Sequence, residues 1–285
     1  MWIFNRTDAS SNPFREAPFV YITQVSYMAQ AQSWTPYPHF HTDEYECTLV
    51  LRGNGMLNLP GCREPLTAGT IVFIPPGVAH FYQMEAEDPL EHVAIRFRPF
   101  PGGSDLEQLS ADGQVRLVQT EQPELYRRMF EMMEPLFRSS GGTVDREIQI
   151  LCLLFLDTAR REFSERGRIV PTYTPEYAND ILVYLQKNIG RKVTLQELAE
   201  HFSLSQSHLS RVFLKTYHIS PINYLIYSRM RQAQVYILQD DLPPAEIARR
   251  LAYHNTWHFT KAFEQFFHCR PEDYRAFVAQ NENRD

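Results

Sequence analysis

The sequence has few cysteines, no long hydrophobic run and no excess of positive charge. Its four cysteines among 285 residues are widely spaced and form no CxxC pair, which argues against a disulfide framework or a cysteine zinc site. No apolar stretch approaches the ~20 residues that a membrane-spanning helix needs. The start of the chain also lacks the basic and apolar segments of a secretory signal. We therefore expect a cytoplasmic protein without a membrane partner.

Charge is unevenly distributed along the chain. The formal net charge of −6 at pH 7 by itself disfavours nucleic-acid binding. Residues 171–285 hold 13 Lys and Arg against 12 Asp and Glu, whereas residues 1–170 hold 15 against 22. The acidity thus belongs to the first part of the chain. The second part can approach a phosphate backbone, but its affinity must come from locally placed cations.

Hydrophobic periodicity divides the chain into a β-rich part and a helical part. Residues 21–100 contain short apolar alternations separated by Gly and Pro turns, which predict an antiparallel barrel or sandwich. Farther along, the apolar spacing becomes helical and predicts two helices within 121–164. Residues 166–175 have the composition of a linker. The predicted fold class is α+β, with a first domain over 1–165 and an all-α domain over 176–285.

The C-terminal domain contains an imperfect internal repeat. Ala199 and Ala248 lie 49 residues apart, and Leu209 and Phe259 lie 50 residues apart. In each copy, a short helix is followed by a turn and a second amphipathic helix. This arrangement predicts two helix-turn-helix units.

Polar residue types on the second helix of each unit indicate DNA reading. Thr194 and Glu197 predict a capping box in the first unit, and Ser205 predicts the N-cap of its second helix. The outward positions carry side chains that reach base edges and phosphates in the major groove. They are Gln206, Ser207, His208, Ser210, Arg211 and Lys215 in the first unit, and Thr256, Trp257, Thr260 and Lys261 in the second. A solvated helix face would show similar residues, but two units in register favour double-stranded DNA as the partner.

These motifs resemble the AraC-type transcription regulators over residues 176–279. The matching residues are Leu209-Ser210-Arg211-Val212-Phe213, Ile247-Ala248, Tyr253, Phe259, Phe263, Pro271 and Tyr274-Arg275. The resemblance implies a non-enzymatic regulator, an activator by type, that contacts DNA and RNA polymerase.

The chain departs from that family at several positions. His218, Ala252 and His268 stand where the family usually has glycine. A left-handed backbone at the helix ends His218 and His268 would cost histidine somewhat more than glycine. Glu264 and Gln265 stand where the family usually has Arg or Lys. This difference implies a weaker phosphate grip in the second unit.

Residues 30–97 resemble the cupin signature. The matching residues are His39, His41, Glu46 and Gly53 in its first motif, and Gly69, Pro75-Pro76-Gly77 and His80 in its second. The resemblance implies a small β-barrel whose mouth holds a ligand. It also implies a divalent-metal site formed by His39, His41, Glu46 and His80, whose ligand types suit Fe, Mn, Ni or Zn. A polar pocket without any cofactor is the alternative.

A second set of residues suggests a carbohydrate effector. His80, Tyr82 and His92 fall at positions that line a sugar pocket within the resembled family, and Trp34 is an aromatic platform of the kind that sugars favour. The leading hypothesis is a transcription regulator controlled by a small molecule, with a sugar as the candidate. The rival is a metal-dependent cupin enzyme or metal sensor fused to a DNA-binding module.

The helices within 121–164 lie where the resembled family dimerises. Apolar residues spaced along one face of the first helix are Leu125, Met129, Met132, Met133 and Leu136. The second helix is apolar on nearly all sides at its centre. These helices either cover the barrel or also join two subunits. We favour a homodimer, which would read two DNA half-sites.

Overall fold

The structure, a computed structural model, has an N-terminal unit rich in β-strands and a C-terminal helical unit. It describes residues 2–5, 20–28, 38–85, 87–99, 112–139, 145–173, 176–238, 240 and 242–277. The long C-terminal segment of the second unit begins at Tyr173. The two-domain α+β fold class is therefore confirmed. Within the described ranges, no helix has the length and apolar character that a bilayer crossing requires.

The described β-strands form two sheets. They are β1 Trp2–Asn5, β2 Val20–Met28, β3 Tyr45–Arg52, β4 Gly55–Leu59, β5 Cys62–Leu66, β6 Thr70–Ile74, β7 Phe81–Met84, β8 Glu91–Pro99, β9 Val115–Gln119 and β10 Arg168–Val170. The larger sheet has the order β1-β2-β8-β3-β6-β9-β10, and its pairs are antiparallel. The smaller sheet has the order β5-β4-β7. Two helices of the same unit are α1 Pro123–Ser139 and α2 Arg146–Arg166.

The larger sheet separates an apolar side from a polar side. Side chains alternate along β8, so Val93 and Ile95 face one side while His92 and Arg96 face the other. The apolar side packs against α1 and α2 in one buried core. Because Glu46 pairs with Arg96 across β3 and β8, Glu46 belongs to the polar side.

Two residues of the predicted apolar face of α1 are exposed. Met129 and Met133 are buried, but Leu125 is 38% and Met132 is 58% exposed. The buried stripe runs through Tyr126, Met129 and Met133. At about 100° per residue, Leu125 and Met132 lie roughly 70° and 90° around the helix from the centre of this stripe.

Part of the predicted linker belongs to the larger sheet. Helix α2 extends to Arg166, and Arg168–Val170 pair with β9 instead of forming an irregular segment. Ile169 and Val170 are β-branched and therefore favour an extended backbone, and Val170 is fully buried. These interactions outweigh the linker-like composition of residues 166–175.

The helical unit contains both predicted helix-turn-helix units. Its helices are α3 Glu176–Lys187, α4 Leu195–His201, α5 Gln206–Tyr217, α6 Pro221–Leu238, α7 Pro244–Arg250 and α8 Thr256–Phe267, followed by a 3-10 turn at Pro271–Asp273. Helices α4 and α5 form the first unit, α7 and α8 form the second, and α6 connects them. The inward faces of α5 and α8 are fully buried at Leu209, Phe213, Phe259 and Phe263.

Capping interactions define the start of each helix in the first unit. The Thr194 hydroxyl accepts from the Glu197 amide at 3.1 Å, and the Ser205 hydroxyl accepts from the His208 amide at 3.2 Å. The predicted capping box is therefore half formed, because the Glu197 carboxylate accepts from Tyr184 at 3.0 Å. Both predicted N-caps are confirmed.

The turn of the first unit is a Schellman motif. Ser203 adopts a left-handed backbone with φ of 53°. The Leu204 amide donates to the Ala199 carbonyl at 2.8 Å, and the Ser203 amide donates to the Glu200 carbonyl at 3.2 Å. The small Ala199 side chain lets the chain fold back over the end of α4.

The turn of the second unit repeats this geometry. Ala252 has φ of 56°, and the Tyr253 amide donates to the Ala248 carbonyl at 2.9 Å. Helices α5 and α8 also end at left-handed residues, His218 with φ of 59° and His268 with φ of 57°. The left-handed backbone implied at His218 and His268 is thus observed, and Ala252 adopts it as well.

Replacing Ala252 with glycine is expected to stabilise the helical unit by about 0.5–1 kcal/mol, because glycine adopts positive φ without the steric conflict of a Cβ atom. Ala245 provides a matched control within α7. Ala245→Gly should destabilise by up to about 0.5–1 kcal/mol, since glycine loses more backbone freedom than alanine when the first turn of α7 forms. Urea unfolding of both variants measures the sign of each change in the free energy of unfolding. Changes of the same sign in both variants would contradict the strain assigned to Ala252.

Candidate functional site

Four side chains from the cupin-type motifs meet on the polar side of the larger sheet. His39, His41, Glu46 and His80 each offer one ligand atom, and these atoms lie within 4.8 Å of one another. Backbone hydrogen bonds of 3.0 and 2.8 Å join His39 to His80. The structure therefore brings together the whole set that the sequence suggested for a metal.

Glu46 is the buried centre of this cluster. The hydroxyls of Tyr82 and Thr48 donate to its Oε1 at 2.8 and 2.9 Å, and His41 Nε2 lies 3.2 Å from its Oε2. Burial alone would raise the pKa of Glu46, but His80 and His41 lower it well below its usual range. Burial and the Glu46 charge raise the pKa of Tyr82 well above its usual value. Glu46 is therefore an ionised carboxylate that accepts hydrogen bonds from neutral donors.

Both ring nitrogens of His41 have partners. Its Nδ1 lies 3.2 Å from an Arg96 guanidinium nitrogen, and Arg96 is in turn 3.6 Å from Glu44. Because a guanidinium group only donates, Nδ1 is the acceptor, and Nε2 carries the proton that is donated to Glu46. Burial lowers the pKa of His41, although Glu46 opposes this shift. His41 is therefore a neutral donor, and it must change tautomer before its Nε2 can bind a metal.

His80 points its Nε2 into the cluster. Its Nδ1 donates to the Val78 carbonyl at 2.9 Å, which leaves Nε2 as the nitrogen that can take a proton or a metal. This buried Nε2 has no hydrogen-bond partner among the described residues and lies 3.5 Å from Glu46 Oε1. Two acceptors that face each other are stabilised by a proton, a cation or a bound donor between them. His80 and Glu46 thus fit a divalent metal.

His92 extends the polar side toward Tyr82. The two rings lie 4.9 Å apart, and the buried His92 Nδ1 has no hydrogen-bond partner among the described residues. Burial lowers the pKa of His92 to about 4. Tyr82 thus lies between two imidazoles that each offer an unused nitrogen. Trp34, the expected stacking platform, lies outside the described residues.

Two residues of this site were not anticipated from the sequence. Thr48 donates to Glu46, and Arg96 determines the tautomer of His41. Strand alternation provides a signal for Thr48, because it lies two residues after Glu46 on β3 and faces the same side. Arg96 requires the pairing of β3 with β8, which the sequence does not reveal.

Helix α5 presents its predicted polar residues on one outward face. Gln206, Ser207, Arg211 and Lys215 are exposed, whereas His208 and Ser210 are half-buried. Arg211 lies 3.2 Å from His208 Nδ1. In the described part of the chain, neither Arg211 nor Lys215 has an acidic side chain as an ion-pair partner. Helix α5 therefore carries two cations with uncompensated charge.

Helix α8 presents a different outward face. Trp257 is 64% exposed, Thr256 and Thr260 are half-buried, and Lys261 is exposed. Lys261 Nζ lies 2.9 Å from Glu264, whose other oxygen lies 3.2 Å from Arg270. Lys261 holds the pKa of Glu264 below its usual range, aided by Arg270. Glu264 therefore compensates two cations beside α8, and the contact with Arg270 was not predicted.

Acidification is expected to destabilise the N-terminal unit through His92. Between pH 6.5 and about 4 the unfolded chain binds a proton that the buried imidazole excludes, so stability falls as pH falls. The loss from this group is about 1.4 kcal/mol per pH unit in the middle of that range. The lowered pKa of His41 also makes stability fall as pH falls. The lowered pKa of Glu46 adds a further loss of stability at still lower pH.

Urea unfolding between about pH 7 and 5 measures this slope. His92→Gln should flatten the slope, whereas the same change at the exposed His254 should leave it unaltered. An unchanged slope in His92→Gln would contradict the assignment of a buried neutral imidazole.

Comparison with known proteins finds a matching family model for each of the two units. Residues 198–276 match the family model of a helix-turn-helix domain. Residues 23–156 match the family model of an AraC-like ligand binding domain. The first match covers both helix-turn-helix units from α4 onward, and the second includes Glu46, His80 and His92.

Curated relatives align over most of both units. The uncharacterized HTH-type transcriptional regulator YdiP of Escherichia coli K12 is 28% identical over 250 residues, 85% of this chain and 82% of that protein. The Msm operon regulatory protein of Streptococcus mutans is 23% identical over 243 residues, 84% of this chain and 86% of that protein. The transcriptional activator RhaS of Escherichia coli O139:H28 is 24% identical over 248 residues, 84% of this chain and 87% of that protein. The chain belongs to the AraC family of DNA-binding transcription regulators that carry a ligand-binding domain.

Proposed function

We propose that this protein is a sequence-specific regulator, without enzymatic activity, whose first recognition helix dominates DNA binding. The observation that carries the proposal is the charge arrangement of the two recognition helices. Arg211 and Lys215 of α5 have no acidic partner in the described part of the chain, whereas Lys261 of α8 is paired with Glu264. A cation that is already paired releases fewer counterions when it meets a phosphate.

The residue types on α5 also suit base reading. Arg211 can bond to the O6 and N7 atoms of guanine, and Gln206 can bond to the N6 and N7 atoms of adenine. Ser207 and Ser210 accept or donate at either kind of base edge. Helix α8 instead offers Trp257 and the methyl groups of Thr256 and Thr260, which suit apolar contact with thymine. We therefore assign polar base reading mainly to α5.

Alanine variants of Arg211 and Lys261 are expected to differ in DNA affinity. With a duplex selected from a random library by the wild-type protein, Arg211→Ala should lose about 5- to 150-fold in affinity and relax the preference at the base that it reads. Lys261→Ala should lose less, about threefold, because Glu264 already compensates this charge. Glu264→Gln should strengthen binding, since it frees Lys261 and Arg270 for phosphate.

Equilibrium binding across a range of salt concentrations measures these effects. Equal losses for Arg211→Ala and Lys261→Ala would contradict the assignment of α5 as the dominant helix. An unchanged affinity in both variants would show that the outward faces do not meet DNA.

The effector site suits a small molecule that carries several hydroxyl groups. His80 Nε2 and His92 Nδ1 are buried nitrogens without a partner in the described residues, and Tyr82 lies between them. A hydroxyl can donate to one imidazole nitrogen and accept from another, so a polyhydroxylated ligand satisfies both. These features support a carbohydrate as the effector of the ligand-binding domain.

A divalent metal is the second candidate for the same site. The observation that favours it is the convergence of four candidate ligand atoms within 4.8 Å, with His80 Nε2 facing Glu46 Oε1 at 3.5 Å. His39, His41, Glu46 and His80 would hold the ion, which would make the N-terminal unit a metal sensor or a metal-dependent enzyme. Bonding of Arg96 to His41 Nδ1 opposes the tautomer that such a site needs. We therefore rank the metal second.

A thermal-shift screen separates the two candidates. A sugar at about 100 times its Kd should raise the Tm of the wild-type protein by roughly 5–10 °C. The His80→Ala and Tyr82→Phe variants should lose this response, and His80→Ala should retain wild-type DNA binding without ligand. A rise with a metal but no sugar, together with stoichiometric metal by elemental analysis, would replace the carbohydrate proposal with the metal one.

Helices α1 and α2 support a homodimer. Leu125 and Met132 on α1 are exposed, as are Ile150 and Leu154 on α2, at 46% and 49%. Other residues of these helices, such as Met129 and Phe155, already pack in the core that covers the sheet. The four exposed residues therefore form an apolar surface that the sheet does not use. A second copy of the chain would bury this surface and place four helix-turn-helix units along one DNA duplex. RNA polymerase is the further partner of the proposed regulator, and the cytoplasm is its proposed location.

A further inference from the structure

We infer that Tyr177 is a positioning residue for the DNA contact of Arg211 and that it acts through His208. Tyr177 lies in the first turn of α3, and its hydroxyl oxygen is 3.3 Å from His208 Nε2. Their rings lie 6.2 Å apart. His208 lies on α5, and its Nδ1 is 3.2 Å from an Arg211 guanidinium nitrogen. This inference rests on the proposed role of Arg211 in DNA binding.

The chemistry of the three side chains indicates which atom donates and which accepts in each of the two hydrogen bonds. A guanidinium group donates only, so the bond from Arg211 makes His208 Nδ1 an acceptor. With Nδ1 accepting from Arg211, His208 carries its proton on Nε2 and donates it to the Tyr177 oxygen. The Tyr177 hydroxyl thus holds the His208 ring in the orientation that receives Arg211. Without this hydroxyl, the ring loses one of its two hydrogen bonds and is free to turn away from Arg211.

Both ring nitrogens of His208 are used within the protein. The ring is half-buried between α3 and α5, while Arg211 is exposed. His208 was predicted to contact DNA directly, but this geometry assigns it the support of a neighbour that does. An exposed arginine loses rotamer entropy when it binds, and holding it beforehand reduces that loss. Pre-orientation also preserves the planar two-point contact by which arginine recognises guanine.

A double-mutant cycle on the full chain tests the inference. The probes are a duplex selected from a random library by the wild-type protein and an unrelated duplex of equal length. Tyr177→Phe should weaken binding to the selected duplex about three- to tenfold, the range that one hydrogen bond provides. Its effect on the unrelated duplex should stay below about twofold. In the Arg211→Ala background, Tyr177→Phe should have no effect, since the side chain that it positions is gone.

Tyr184 supplies the matched control. It also lies on α3, and its hydroxyl donates to Glu197 at 3.0 Å instead of contacting α5. Tyr184→Phe should change affinity equally with and without Arg211, as a structural effect on α3 would. His208→Phe breaks the same chain at its centre, so adding Tyr177→Phe to it should cause no further loss.

The outcomes separate this inference from the proposed function. If Arg211→Ala leaves binding unchanged, the proposed reading face is wrong. If Arg211→Ala weakens binding but the Tyr177→Phe effect is below twofold or is the same in both backgrounds, the positioning role of Tyr177 is overturned. Loss of folding in Tyr177→Phe, seen by thermal unfolding, would indicate a structural role for Tyr177. The test then rests on His208→Phe, which must fold and must weaken binding only when Arg211 is present; any other result overturns the inference.

Discussion

Two backbone hydrogen bonds determine how the recognition helices are presented. The amide of Leu204 folds back onto Ala199, and the amide of Tyr253 folds back onto Ala248. Each bond requires the residue before it to be left-handed, which glycine does easily and Ala252 does at a cost. Because of this turn, the following helix buries its apolar face and exposes its polar face. The proposed reading of DNA by α5 and α8 depends on these two turns.

The two units share this backbone but differ in electrostatics. Glu264 draws Lys261 and Arg270 into ion pairs beside α8, while the cations of α5 stay available to phosphate. Exposed ion pairs contribute little to stability, so this arrangement matters more for DNA affinity than for folding. In the N-terminal unit, the buried Glu46 is likewise surrounded by donors, yet His80 and His92 keep unused nitrogens. In both units most charged groups are paired with neighbouring side chains, and a few polar groups are left without a partner among the described residues. Binding is proposed at those unpaired groups.

Local sequence signals predicted the features that depend on neighbours in the chain. The spacing between Ala199 and Ala248 revealed the duplicated unit, and Ser205 revealed the start of α5. The cupin-type motifs brought four candidate ligands together because an antiparallel bridge joins His39 to His80 and the chain from His39 continues into β3, which carries Glu46. Features that depend on distant partners were not predictable. Arg270 returns to Glu264 through the turn after α8, and Ile169 joins the sheet because β9 offers an unpaired edge.

The central claim is that α5 reads DNA more strongly than α8. Selection of duplexes from a random library by the full-length protein tests it most directly. Each monomer should select two segments about one helical turn apart, roughly 10 base pairs. The more strongly conserved segment should be the one whose preference relaxes in Arg211→Ala. Relaxation of that segment in Trp257→Ala, with Arg211→Ala affecting only the weaker segment, would contradict it.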